Sequence, residues 1–152
     1  MKYLLLEESP MRDSVYIILL MFSLFLPFSA EAANRILHYK PEVVALKGIV
    51  EVQTFPGPPN YESIKAGDKI EKAWILRLDE PFDIVTTQQD QEPNAELENN
   101  VKVIHLAIDN DAIWPKLKVG KHVLVKGSFY HRFNGHHHAR VLLETQSLDE
   151  VK

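Results

Sequence analysis

The sequence predicts an all-β fold, a small five-stranded barrel, and three observations carry that expectation. Apolar and polar residues alternate with period two in several separate segments. Glycines interrupt two of these segments, as they do where a strand curls around a barrel corner. Helix-like patterning is confined to one short stretch, Asp109 to Leu117, and Pro115 keeps it to a single turn. The 152 residues amount to one domain, and 45% hydrophobic with 25% charged residues sets aside collagen, coiled-coil and wholly disordered chains. The chain has no cysteine, which removes disulfides, thiolate metal sites, iron–sulfur clusters and a cysteine nucleophile.

Before the fold comes an address. Val15 to Phe28 runs without a charge, is broken by Pro27, and is followed by the small residues Ser29, Ala30, Ala32 and Ala33. A spanning helix needs roughly 20 apolar residues, so this shorter run reads as a signal peptide over residues 1–32, cleaved after Ala32, rather than as a retained anchor. Lys2 and Arg12 supply the basic flank, and either Met1 or Met11 can serve as the start. No cysteine follows the run, so no lipid anchor is expected and the product is periplasmic or secreted, with no stable membrane anchor. Removing the leader takes two basic residues from 17 and four acidic residues from 21, which changes the net charge from -4 to -2. A nearly neutral exported domain lacks the basic footprint of nucleic-acid binding, and no nucleic acid is expected as partner.

Residues 33–152 then form the barrel domain. The first strand lies within Pro41 to Gln53, where Val44, Leu46, Gly48, Val50 and Val52 share a face and Gly48 predicts a bulge or sharp bend. Phe55 to Asn60 follows, with three prolines and a glycine that end regular structure. Lys72 to Leu78 is the second strand and Val101 to Ile108 the third. Between them, Thr86 to Asn100 holds four acids, no base and little that is apolar, which reads as a solvated, mobile excursion over 86–100 or, alternatively, an acidic recognition loop. Trp114 is expected to plug one barrel end. His122 to Phe133 and Ala139 to Leu148 complete the five. Strand number, interrupting glycines and the lone helical turn between strands three and four fit an OB-like Greek-key barrel best, with an immunoglobulin-like sandwich second. In the former fold the loops at Phe55 to Lys69 and Asn134 to His138 flank the usual binding face.

The last hairpin decides where the histidines go. A two-residue turn at Asn134-Gly135 would carry Glu144 to the apolar face, so a three-residue loop Asn134 to His136 is expected, with Phe129 opposite Val141 and Gly127 opposite Leu143. That register sets His131 and His137 diagonally on one face, within side-chain reach, and pairs His138 with Arg132 on the other. Imidazoles suit Zn or Cu, and His131 with His137 are the candidate metal ligands. Two are too few for a site, since structural zinc takes four ligands and catalytic zinc usually three. The plainer alternative has His136, His137 and His138 as a polar loop while His131 caps the barrel mouth by a hydrogen bond.

The stretch Leu117, Gly120-Lys121, Val123, Val125, Gly127, Phe129, Gly135-His136-His137-His138 and Val141-Leu142-Leu143 resembles, as a unit, a family of small bacterial exported proteins catalogued as domain of unknown function forty-four thirty-one. The resemblance implies an OB-like barrel in a bacterial envelope, with the histidine loop as the family's signature. It implies no reaction.

The sequence carries no G-x-S-x-G, H-E-x-x-H, Walker loop or G-x-G-x-x-G. The expected function is therefore a non-catalytic binding module, not an enzyme, with a protein partner in the bacterial envelope; an inhibitor or immunity-type protein is one form. Its contact residues are expected to be Phe55, Tyr61, Tyr130 and Phe133, with His136, His138 and Arg140 as polar contacts. The alternative is an envelope metal-binding protein that takes Zn or Cu through the histidine-rich hairpin; otherwise no cofactor is expected.

Overall fold

The computed structural model describes residues 34–151, and the leader expected over residues 1–32 lies outside them. The chain is all-β, with strands β1 (Arg35–Leu37), β2 (Val44–Pro56), β3 (Ile70–Ile84), β4 (Glu98–Ala107), β5 (His122–His131) and β6 (Val141–Glu150). Two isolated 3₁₀ turns, Ile64–Ala66 and Trp114–Lys116, are the helical content of the described residues. Among these residues no helix is long and apolar enough to cross a membrane.

β2 pairs antiparallel with both β3 and β5, β3 with β4, and β5 with β6. A parallel pairing of β4 with β6, His105 opposite Leu142, closes the ring. The five strands β2 to β6 thus make a closed Greek-key barrel with the connectivity of an OB-like fold. β1 adds in parallel to the end of β3 that runs beyond its pairing with β2, Arg35 opposite Phe82. The sequence pattern does not reveal β1, because three residues are too few to display a period.

Inward positions alternate as expected: Val44, Leu46 and Val50 of β2, Leu76 and Leu78 of β3, and Val123, Val125 and Phe129 of β5 are buried in one core. Phe82 and Phe129 stack across it with ring centres 5.1 Å apart. Of the bulge or sharp bend expected at Gly48, the bulge is absent. β2 keeps its register there while pairing Leu78 on one side and Val123 on the other. Glycine is needed because a Cβ would run into the carbonyl of Arg77. A bulge falls instead in β6, where Gln146 is the extra residue between Thr145 and Ser147, the partners of Gly127 and Lys126, and a Cβ on Gly127 would meet the carbonyl of Glu144.

Trp114 does not plug the barrel. It is 47% exposed, and Ile113 and Leu117, which flank the 3₁₀ turn, are the residues that pack into the core. The acidic excursion also ends earlier than the sequence suggests, because β4 starts at Glu98. What remains is tied to the segment before β2. The Gln91 N–H donates to the Lys40 carbonyl at 2.8 Å, and the Tyr39 hydroxyl donates to the Glu96 carbonyl at 2.8 Å. Glu92 is buried with its carboxylate 3.6 Å from the Lys40 ammonium. Glu92, and Asp90, which accepts from the Thr87 N–H at 2.7 Å, therefore serve as acceptors, while the Glu96 side chain faces solvent.

Candidate functional site

The hairpin register differs from expectation by two residues. Phe129 faces Leu143 and His131 faces Val141, so the connection spans residues 132–140. A slip of two preserves which side chains point inward, and only parity is tested by the apolar pattern. The bulge at Gln146, opposite Gly127, then absorbs another residue, so that Val125 meets Leu148 rather than Thr145.

This longer loop folds on its own polar groups. Asn134 accepts from the His136 N–H through Oδ1 at 3.0 Å and from the His137 N–H through its carbonyl at 3.2 Å. The Phe133 N–H donates to Nδ1 of His137 at 3.2 Å, and the Arg132 N–H to the Arg140 carbonyl at 2.9 Å. Arg132 is therefore not paired with His138 as expected. His137 packs edge-on against Phe133, with centroids 4.4 Å apart, and against Tyr130 at 5.5 Å.

The loop from Gly57 to Lys69 meets this hairpin directly. Buried Asp68 organises it by accepting from the N–H groups of Asn60, Glu62 and Ser63, and these bonds hold its carboxyl below the usual carboxylate range. Tyr61, at φ 60°, takes a left-handed conformation uncommon for an aromatic residue. Its ring lies against Gly135, where a Cβ would come within 2.6 Å of Cγ, and its hydroxyl donates to Nε2 of His136 at 2.9 Å. Glu71 at the start of β3 bridges the rest, accepting from Nδ1 of His136 at 2.8 Å and from Nε2 of His138 at 3.0 Å. His138 stacks flat on Phe55, with centroids 4.3 Å apart and planes 5° from parallel.

Beneath the hairpin lies a small apolar patch on the outside of the barrel, where Ile75, His105 and Leu142 are cross-strand neighbours. The His138 N–H donates to Nδ1 of His105 at 3.4 Å. Burial, followed by the neighbouring His138 and His137, lowers the pKa of His105 to about 4. Burial, with His136 and His138 next, also lowers that of His137.

The structure thus brings Phe55, Tyr61, Phe133 and His138 together around an open groove of about 510 Å³, with His136 beside it through its contact with Tyr61. Tyr130 stands at its flank, half-buried, with the Lys40 ammonium 5.5 Å from its ring centre. Burial, then Asp109, Glu144 and Glu92, raises its pKa to about 12. Arg140 turns the other way, with Nη1 3.1 Å from Glu98. The expected His131 and His137 pair is not the arrangement found. His131 is buried, with Nε2 3.1 Å from Glu98 and 3.8 Å from Glu96. Sequence reasoning misses Glu71, Glu96, Glu98 and His105, although Glu71, Ala73 and Ile75 alternate opposite the face of Trp74, Leu76 and Leu78 and so hint that β3 is covered on both sides.

No curated protein and no solved structure matches the chain. Residues 103–149, which run from β4 through the hairpin to the end of β6, match the model of the family described as Domain of unknown function (DUF4431), and so include His131 and the three consecutive histidines.

Proposed function

We propose that the protein is a non-catalytic binding module of the periplasm or of the extracellular space, which holds a protein partner in the groove between the Gly57 to Lys69 loop and the 132–140 hairpin. The observation that carries this reading is the joint at Tyr61. The bond to His136 and the close approach to Gly135 make one surface of two loops and leave Phe133 62% exposed on it. A large aromatic side chain exposed beside half-buried rings is the type of group that anchors an interface, and a fixed paratope-like surface lowers the ordering cost of binding. Arg132, His137 and His138, which line the groove, supply polar contacts. An inhibitor or immunity protein that neutralises an exported toxin or lytic enzyme is one form of this function.

The test is a photo-crosslinking side chain placed at Phe133 and, as control, at exposed Lys126 on β5. Cells that make the protein should yield one discrete adduct from position 133 and none from position 126. Once that partner is purified, Phe133→Ala should weaken its binding at least tenfold, which corresponds to about 1.4 kcal/mol. Identical crosslinking from both positions, or none from either, would overturn the reading.

A further inference from the structure

Independently of the groove, the geometry points to a divalent transition-metal site of the Zn²⁺ type formed by Glu96, Glu98 and His131. Their ligand atoms lie within 4.8 Å of one another. The argument starts from hydrogen-bond arithmetic. In the hairpin, His136 presents one N–H to Glu71 and one lone pair to the Tyr61 hydroxyl, a pattern that a ring with a single N–H satisfies. His131 differs. Its Nδ1 faces the Arg132 carbonyl at 3.2 Å, and its Nε2 faces Oε1 of Glu98 at 3.1 Å and Oε2 of Glu96 at 3.8 Å. These are acceptors only.

A neutral ring has one N–H for these two faces; where it is given to the Arg132 carbonyl, His131 aims a lone pair at two carboxylates from a side chain only 6% exposed. In that tautomer the lone pairs on the buried imidazole and the buried carboxylate repel unless a cation lies between them, and the alternative is a proton shared on Nε2. An imidazole whose Nδ1–H is held by a backbone carbonyl, leaving Nε2 free, is the arrangement of metal-bound histidine. The spacings also fit. Ligands about 2.1 Å from a tetrahedral zinc lie about 3.4 Å apart, between the two Nε2 to carboxylate distances found.

The surroundings complete the site. Arg140 occupies Oε2 of Glu98 at 3.1 Å and so orients the carboxylate while leaving Oε1 to the ion. The Tyr39 hydroxyl fixes the Glu96 backbone, and the Glu96 side chain, 71% exposed, opens the site to solvent on one side. One imidazole and two carboxylates, without thiolate or thioether, favour Zn²⁺ over Cu(I), while the imidazole disfavours Ca²⁺.

The experiment strips the protein with chelator and titrates Zn²⁺ against a chromophoric competitor. One equivalent should bind at this site, with the His131 Nε2 resonance shifting on addition. Glu96→Gln should lower the affinity at least tenfold, without changing the unfolding midpoint of the metal-free protein, because Glu96 is exposed; His137→Ala should leave it unchanged. Glu98→Gln and His131→Gln act at buried positions and can fail to fold, so Glu96→Gln carries the test. Wild-type affinity in Glu96→Gln, or loss of zinc only when His136 to His138 are replaced, would overturn the proposal. So would the absence of binding with two N–H protons detected on His131, since the buried pair would then be imidazolium and carboxylate alone.

Discussion

His105 shows how a single side chain reports the packing of the loop above it. Its ring accepts from the His138 N–H and is shielded by the hairpin, so the folded protein holds it neutral down to about pH 4, whereas in the unfolded chain it takes a proton near pH 6.5. Between these values the unfolded state binds more protons, and stability falls as the pH falls. Thermal midpoints measured from pH 6.5 to pH 4 should decline, and His105→Asn, which keeps an acceptor but cannot ionise, should decline less steeply over the same window. His137 contributes with the same sign. At this scale the sequence discloses aromatic contacts more readily than polar ones. Phe55 and Tyr61 bracket a proline-rich stretch and attract attention, while Glu71 and Glu98 acquire meaning only from residues 65 and 33 positions away, in a hairpin whose register had to be known first.

Elements reveal their faces in the sequence but not their alignment. Val44, Leu46, Val50 and Phe129 point inward as their alternation requires, yet the β5 and β6 ladder is offset by two residues from the one inferred. The hydrophobic effect distinguishes odd from even slips and is indifferent between even ones; loop hydrogen bonds around Asn134 and the bulge opposite Gly127 decide the rest. That bulge supplies the prediction at this scale. Alanine at Gly127 would force its Cβ against the Glu144 carbonyl, and β5 or β6 would have to move. Urea unfolding of Gly127→Ala should show a loss of about 1–3 kcal/mol, the usual cost of overpacking. A change of a few tenths would mean that the strands yield freely there.

For the described domain as a whole, closure is the controlling fact. Within the ring each strand has two neighbours, and β4 meets β6 in parallel to remove the last free edge of the ring. The fold class was legible because five alternating segments and two tight glycines admit few other architectures. Closure itself was not, since the pairing of β4 with β6 joins segments far apart in sequence, and no local pattern encodes it. A closed ring shares its core among all strands, so damage at one point should be felt by all. Phe129→Ala removes the partner of Phe82 and should cost about 3–5 kcal/mol in a single cooperative transition, read by denaturant titration with two spectroscopic probes. Separate transitions for the two probes would mean that the barrel comes apart in stages.

The contact between Tyr61 and Gly135 has a consequence for how the molecule can diverge. A side chain gained at position 135 must be answered by a smaller or relocated ring at position 61, and a carboxylate lost at 71 leaves two imidazoles at 136 and 138 without their acceptor. Two stretches separated by some seventy residues are therefore inherited as one unit: variation accepted in either loop is filtered by the other, and a new specificity arises from paired changes rather than from drift in a single loop.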